Sequence, residues 1–162
     1  MANRFVSVAI DHGTTNSCIA TMTAAGPHVL PVDGGNTTLP STVYYETGGG
    51  LKVGLPARKA MMMSQPSEGQ GFTGYKLHIG SDRRYDFAAA RKSLTAPELG
   101  AVVLQTLLRA YQQQESVDPR ACVITVPAKF KQNAVEGTRA AAAMAGLKYY
   151  PLLMEPVAAA MA

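Results

Sequence analysis

The chain has 162 residues, enough for one ordinary domain or two small ones with a real core. Its hydrophobic share is 47% and its charged share only 16%, low for a free-standing soluble domain, so some surface is expected to lie under further protein. The net charge of +4 is scattered over Arg58-Lys59, Arg83-Arg84, Arg91-Lys92, Lys129 and Lys131, which is weak ground for a nucleic-acid surface, and no apolar run approaches the ~18 residues of a membrane span, so neither partner is expected.

Residues 1–5 carry no apolar stretch of the signal-peptide kind and lead straight into a strand, so the expected location is the cytoplasm. Residues 6–10 (Val-Ser-Val-Ala-Ile) read as that strand. They run into Asp11-His12-Gly13-Thr14-Thr15-Asn16-Ser17, and the chain turns apolar again over 18–22. This is the pattern of a β-hairpin whose tip offers a carboxylate, a glycine, hydroxyls and backbone N–H groups. Such a tip suits a metal-bound phosphate: glycine allows close approach, N–H and O–H groups donate to phosphate oxygens, and a carboxylate holds Mg²⁺ directly or through water. The same turn also ends hairpins that hold nothing. Gly26-Pro27 reads as a turn, 28–32 as a third strand, and Asp33-Gly34-Gly35-Asn36 as another turn. Residues 42–45, β-branched and aromatic, predict a fourth strand before Gly48-Gly49-Gly50 and a short strand at 51–54.

Residues 56–64 predict a short helix, in which Met61, Met62 and Met63 cannot share one face, so part of the run is expected in solvent. Residues 69–74, with three glycines, read as a loop. Thr95-Ala96-Pro97-Glu98 fits a capping box, and Leu99, Val102, Val103, Leu107 and Tyr111 then recur at helical spacing to about Glu115, with Asp118-Pro119 as the stop. Residues 121–126 form a continuous apolar run typical of a strand buried on both faces, ended by Pro127. An alanine-rich helix over 131–145 ends at Gly146, a strand is expected within 147–154, and Pro156 opens a helix in which the sequence stops. Cys18 and Cys122 sit in strand-like runs with no Cys or His company and are expected as buried free thiols. The three histidines stand alone, and a partly solvated histidine is the expectation for each rather than a metal ligand.

Several segments together resemble one family. Asp11-His12-Gly13-Thr14-Thr15-Asn16-Ser17-Cys18 is similar to the first phosphate loop of the seventy-kilodalton heat-shock chaperones of the DnaK type. Asn36-Thr37-Thr38-Leu39-Pro40-Ser41 resembles their Thr-x-Pro-Ser turn, and 71–80 (Gly-Phe-Thr-Gly-Tyr-Lys-Leu-His-Ile-Gly) the stretch with their active-site lysine. Val123-Ile124-Thr125-Val126-Pro127-Ala128-Lys129-Phe130 and Glu155-Pro156-Val157-Ala158-Ala159-Ala160 resemble two further family segments, in matching order and spacing along the chain.

The resemblance implies an α/β fold: one lobe of an actin-like (ribonuclease H-like) ATPase, with a mixed sheet, flanking helices and a smaller α/β subdomain. Residues 1–39 and 116–162 would form the phosphate-binding core subdomain and 40–115 the smaller inserted one, the second lobe and the peptide-binding domain being absent. It implies ATP or ADP with Mg²⁺ as ligands. Asp11 would hold Mg²⁺ through its water shell; Gly13, Thr14, Thr15 and Asn16 would cradle phosphates; Lys76 would neutralise the γ-phosphate; Glu155 would position the attacking water; and Pro127 would act as a relay. The implied partners are unfolded peptide clients, a J-domain co-chaperone and a nucleotide-exchange factor. Departures stand at His12 (apolar in the family), Lys129, Lys131-Gln132, Val135 and Ala143, so nucleotide-site residues match better than those of interdomain signalling. Another actin-like protein, a sugar kinase or filament former, and a non-catalytic interaction module are the alternatives.

Overall fold

The computed structural model describes residues 8–117, 119 and 121–160. Val6, Ser7, Asp118, Met161 and Ala162, which the sequence assigns to strand, helix stop and terminal helix, lie outside these. The chain opens with β1 (Val8–His12), β2 (Asn16–Thr23) and β3 (Gly26–Val29), an antiparallel meander, followed by the short β4 (Leu39–Pro40), which pairs with β2. Next come β5 (Val43–Glu46), β6 (Leu51–Val53), α1 (Leu55–Met63) and β7 (Gly69–Phe72), with β5 at the centre of a small antiparallel sheet. A 3-10 turn at Tyr75–His78 leads to the β8 (Arg84–Phe87) and β9 (Lys92–Thr95) hairpin and to the long α2 (Ala96–Glu115). The chain then returns to the first sheet through β10 (Val123–Val126), α3 (Gln132–Met144), β11 (Leu152–Met154) and α4 (Glu155–Ala160).

The large sheet has the order β11-β10-β1-β2-β3. β10 runs parallel to β1, and β11 parallel to β10, whereas β2 and β3 are antiparallel to their neighbours. The fold is therefore a mixed α/β sheet with flanking helices, as expected. Period-two alternation buries Val8, Ile10 and His12 on one face of β1 and leaves Ala9 and Asp11 on the other. The inner face meets α2 and α3. Ile10, Ile19, Leu99, Val103, Leu104, Leu107 and Ile124 are fully buried there, each worth about 1.5–3 kcal/mol of apolar burial. α2 starts where the capping box predicts: Thr95 N donates to Glu98 Oε2 at 2.6 Å, and Glu98 N donates to Thr95 Oγ1. Ser116, in the left-handed conformation (φ 54°), ends it.

Several expectations are corrected. The second hairpin, β2 to β3, turns at Ala24-Ala25, where Ala25 N donates to Thr23 Oγ1, so Gly26-Pro27 opens β3 and that strand ends at Val29 rather than at residue 32. The 69–74 stretch is not all loop. Its first four residues are β7, and two of its glycines serve packing: a Cβ on Gly69 would lie 2.4 Å from the Tyr44 hydroxyl, and one on Gly71 would lie 2.6 Å from Met61 Cγ. β10 is buried on one face only, because α2 and α3 cover one side; Val123 and Thr125 are half-exposed. The strand expected within 147–154 is confined to 152–154, preceded by a single bridge between Ala121 and Tyr149. Cys122 is buried, but Cys18 faces the open side of the sheet and is half-exposed. As the helix geometry requires, Met62 and Met63 project into solvent while Met61 packs near Tyr44 and Gly71.

Candidate functional site

The three parallel strands place their C-terminal ends side by side, the position where open α/β sheets hold ligands. Asp11 stands at the end of β1 on its exposed face. The register that pairs Ile10 with Ile124 continues to Asp11 and Thr125, and the Thr125 hydroxyl donates to Asp11 Oδ1 at 2.7 Å. This leaves Oδ2 free of that bond. Glu155 follows β11 directly and opens α4.

Gly13, Thr14 and Thr15 form the turn between β1 and β2. The turn is so tight that a Cβ on Gly13 would lie 2.0 Å from the Asn16 carbonyl oxygen. It is braced from outside the hairpin. Ser41 N donates to Thr15 O at 2.8 Å, Ser41 Oγ donates to Gly13 O at 2.8 Å, and the buried Ser17 and Ser41 hydroxyls lie 2.9 Å apart. Thr15 and Asn16 are exposed and Thr14 half-exposed. Both threonines line a cleft of about 430 Å³ with Thr42, Arg58, Met61 and Thr73.

Lys76 is not a surface lysine. It sits in the 3-10 turn that begins after Gly74, itself in the left-handed region (φ 67°), and its side chain is 1% exposed. Its ammonium donates to the His12 carbonyl, lies 3.8 Å from Glu155 Oε1, and stands 5.5 Å from the centre of the Phe130 ring. Burial pushes the Lys76 pKa down, and the carboxylates of Glu155 and Asp11 partly oppose that shift. Pro127 ends β10 half-buried, and its carbonyl accepts from Phe130 N at 3.0 Å, so it fixes the loop that carries the ring.

The structure thus brings Asp11, Lys76 and Glu155 together beside the 13–16 turn. It does not bring Lys76 into the cleft of Thr14 and Thr15; Lys76 lines a neighbouring cleft of about 300 Å³ with Lys129, Phe130 and Lys131. His12 overturns its expectation. It is fully buried rather than partly solvated, because it continues the inward series of Val8 and Ile10, and burial together with the Lys76 charge lowers its pKa to about 3. His78 is surface-bound, its Nε2 2.8 Å from Arg83 Nη1. Thr125, Ser17 and Ser41 lay in recognised segments without a role; their roles arise from cross-strand register and a long-range turn contact.

The donor set fits a magnesium-bound phosphate. It offers carboxylate and hydroxyl oxygens, which are hard ligands, and a buried cation whose ion pair with Glu155 is loose at 3.8 Å, so that it gains from a further anion. Among the described residues no three His, Cys, Asp or Glu side chains cluster as direct metal ligands. Among the same residues no helix is long and apolar enough to cross a membrane.

A mixed sheet of this order, with a glycine turn after its first strand and acidic groups at its parallel strand ends, is the architecture of the actin-like ATPases. The sequence model of one family of that class, described as Hsp70 protein, matches residues 7–162, and the chain belongs to the Hsp70 family. The family is one of nucleotide-binding chaperones, typically using Mg²⁺, whose members generally bind unfolded client peptides and co-chaperones. The match favours this family over the sugar-kinase and filament alternatives.

Proposed function

We propose that this chain supplies one phosphate-binding side of a chaperone ATPase of the DnaK type, in which ATP hydrolysis gates peptide binding. The observation that carries the reading is the buried Lys76 ammonium held between the His12 carbonyl and Glu155, next to a turn only glycine can make. Phosphoryl transfer is mostly positioning and charge neutralisation, and these residue types supply both.

In this reading the backbone N–H groups and hydroxyls of Gly13, Thr14, Thr15 and Asn16 bind phosphate oxygens. Asp11, oriented by Thr125, holds the water shell of Mg²⁺. When bound, Mg²⁺ neutralises phosphate charge. Lys76 neutralises the terminal phosphate, an anion that favours its charged form against the effect of burial. Glu155 orients the attacking water. Pro127, through its hold on Phe130, relays the state of the site to the outer face of the sheet. Residues 1–39 with 116–162 act as the phosphate-binding subdomain and 40–115 as the smaller one; β1–β3, β10 and β11 sharing one sheet, apart from β5–β9, supports that division. Peptide clients, a J-domain co-chaperone and an exchange factor are the partners of the complete protein, and the cytoplasm its location. The replacements at Val135 and Lys131-Gln132 favour a divergent coupling to those partners.

Calorimetric titration of Mg–ADP into the chain tests the reading. Binding that Asp11→Asn and Lys76→Met each weaken about tenfold or more, the loss of one charge-assisted contact, supports it. No binding to the unaltered chain would leave the non-catalytic interaction module as the better account.

A further inference from the structure

We propose that His12 is a positioning residue: through Tyr75 it ties the segment carrying Lys76 to the phosphate turn. The proposal rests on the reading of Lys76 as the cation of that site. His12 lies between Asp11 and Gly13, and Tyr75 directly precedes Lys76. His12 meets the Tyr75-Lys76 pair twice. The His12 carbonyl accepts from the Lys76 ammonium, and the His12 ring Nε2 lies 3.1 Å from the Tyr75 hydroxyl, both contacts buried. One residue therefore holds Lys76 by its backbone and holds the residue before Lys76 by its side chain.

Space filling does not account for this pair. His12 is fully exposed to no solvent, and its Nδ1 is buried with no hydrogen-bond partner among the described residues. An apolar side chain would fill the same inward position without that desolvation. Room for the ring is made by Gly100 of α2, where a Cβ would lie 3.2 Å from His12 Cε1. Tyr75 is 1% exposed, so its hydroxyl too is removed from water. Among the described residues the ring's one hydrogen-bond contact is with Tyr75.

The tie is read by the acylation rate of Lys76 under a limiting amine reagent, resolved by mass spectrometry with the exposed Lys129 as internal reference. In the unaltered chain Lys76 should react far more slowly than Lys129. Tyr75→Phe, which removes one oxygen, should raise the Lys76 rate about five- to tenfold, the scale of one lost hydrogen bond, and leave Lys129 unchanged. His12→Leu should do the same, and the double variant should add nothing further, because both remove one bond. His12→Gln, which keeps a polar group near the Nε2 position, should restore much of the protection. A folded Tyr75→Phe chain with the unaltered Lys76 rate, or single effects that simply multiply in the double variant, would overturn the proposal. Mg–ADP titration of the same proteins is read separately: no binding to the unaltered chain removes the assignment of the site, whereas the acylation rates decide the tie.

Discussion

The Thr125 hydroxyl donates to Asp11 Oδ1 at 2.7 Å across 114 residues of sequence. Parallel pairing of β1 with β10 sets the two side chains on the same face, and the bond selects one orientation of the carboxylate. Thr125→Val keeps the shape and removes the donor. The residue is half-exposed, so water replaces much of the bond, and stability should fall by only about 0.5–1.5 kcal/mol. Mg–ADP affinity should fall several-fold, because Asp11 loses its orientation. Equal affinity for Thr125→Val and the unaltered chain would show that Asp11 needs no such support.

Ser41 makes a comparable case within the turn. It donates to Gly13 O, and its hydroxyl meets that of Ser17, both side chains being buried. Ser41→Ala strips one bond from the turn and leaves the Ser17 hydroxyl without that partner. A loss of about 1–3 kcal/mol is expected, the cost of an unsatisfied buried polar group. Urea unfolding measures it. A change under about 0.5 kcal/mol, the ordinary scatter of surface substitutions, would mean that the turn holds without its brace.

Burial of His12 gives stability a defined pH dependence. The folded chain protonates this ring only near pH 3, against 6.5 for the free group. Between those values the unfolded chain binds the proton and the folded chain does not. The contribution is therefore fully present above pH 6.5 and is lost as pH falls toward 3, with a limiting slope of about 1.4 kcal/mol per unit. The Lys76 charge opposes protonation in the same direction. Chemical denaturation between about pH 7 and 4 should show a shallower loss for His12→Leu than for the unaltered chain. Parallel curves would place the acid sensitivity elsewhere.

The two thiols should also separate. Burial raises the Cys122 pKa to about 12, and the Cys18 thiol is raised by burial and by the Asp11 carboxylate. Neither is a ready thiolate near neutral pH. Iodoacetamide at about pH 8 should modify half-exposed Cys18 slowly and Cys122 only on unfolding. Rapid native-state alkylation of Cys122 would contradict its burial at the entry to β10.

Long, periodic elements were legible in the sequence. The capping box and apolar spacing of α2 fixed its start and its buried stripe, because both signals are local. The residues expected at the nucleotide site came from family resemblance, and the structure brings three of them, Asp11, Lys76 and Glu155, near one another. β7 was not legible: its glycines read as a loop, whereas they answer to Tyr44 and Met61, residues of other elements. The burial of His12 was written in the alternation of Val8, Ile10 and His12, but polar chemistry outweighed periodicity in reading it. Thr125 and Ser41 gained their roles from strand register and long-range turns, which no local pattern carries.

The support behind Lys76 rests on one close approach. Gly137, in the middle of α3, lies so near the turn after Lys76 that a Cβ there would stand 1.8 Å from Ile79 O. Gly80 meets α3 in the same way, its Cβ position 2.5 Å from Ala134 N, and Asn133 Nδ2 donates to Gly80 O at 2.6 Å. On helix propensity alone Gly137→Ala would stabilise by about 1 kcal/mol. The clash is with backbone and cannot be relieved by a rotamer change, so α3 or the 76–80 segment must move. The net effect should be a loss of about 1–3 kcal/mol, typical of overpacking, with faster acylation of Lys76 as its turn shifts. Urea unfolding and the Lys76 rate together decide the point: a stabilised Gly137→Ala chain with Lys76 still protected would mean that the contact is slack and that α3 does not hold the lysine in place.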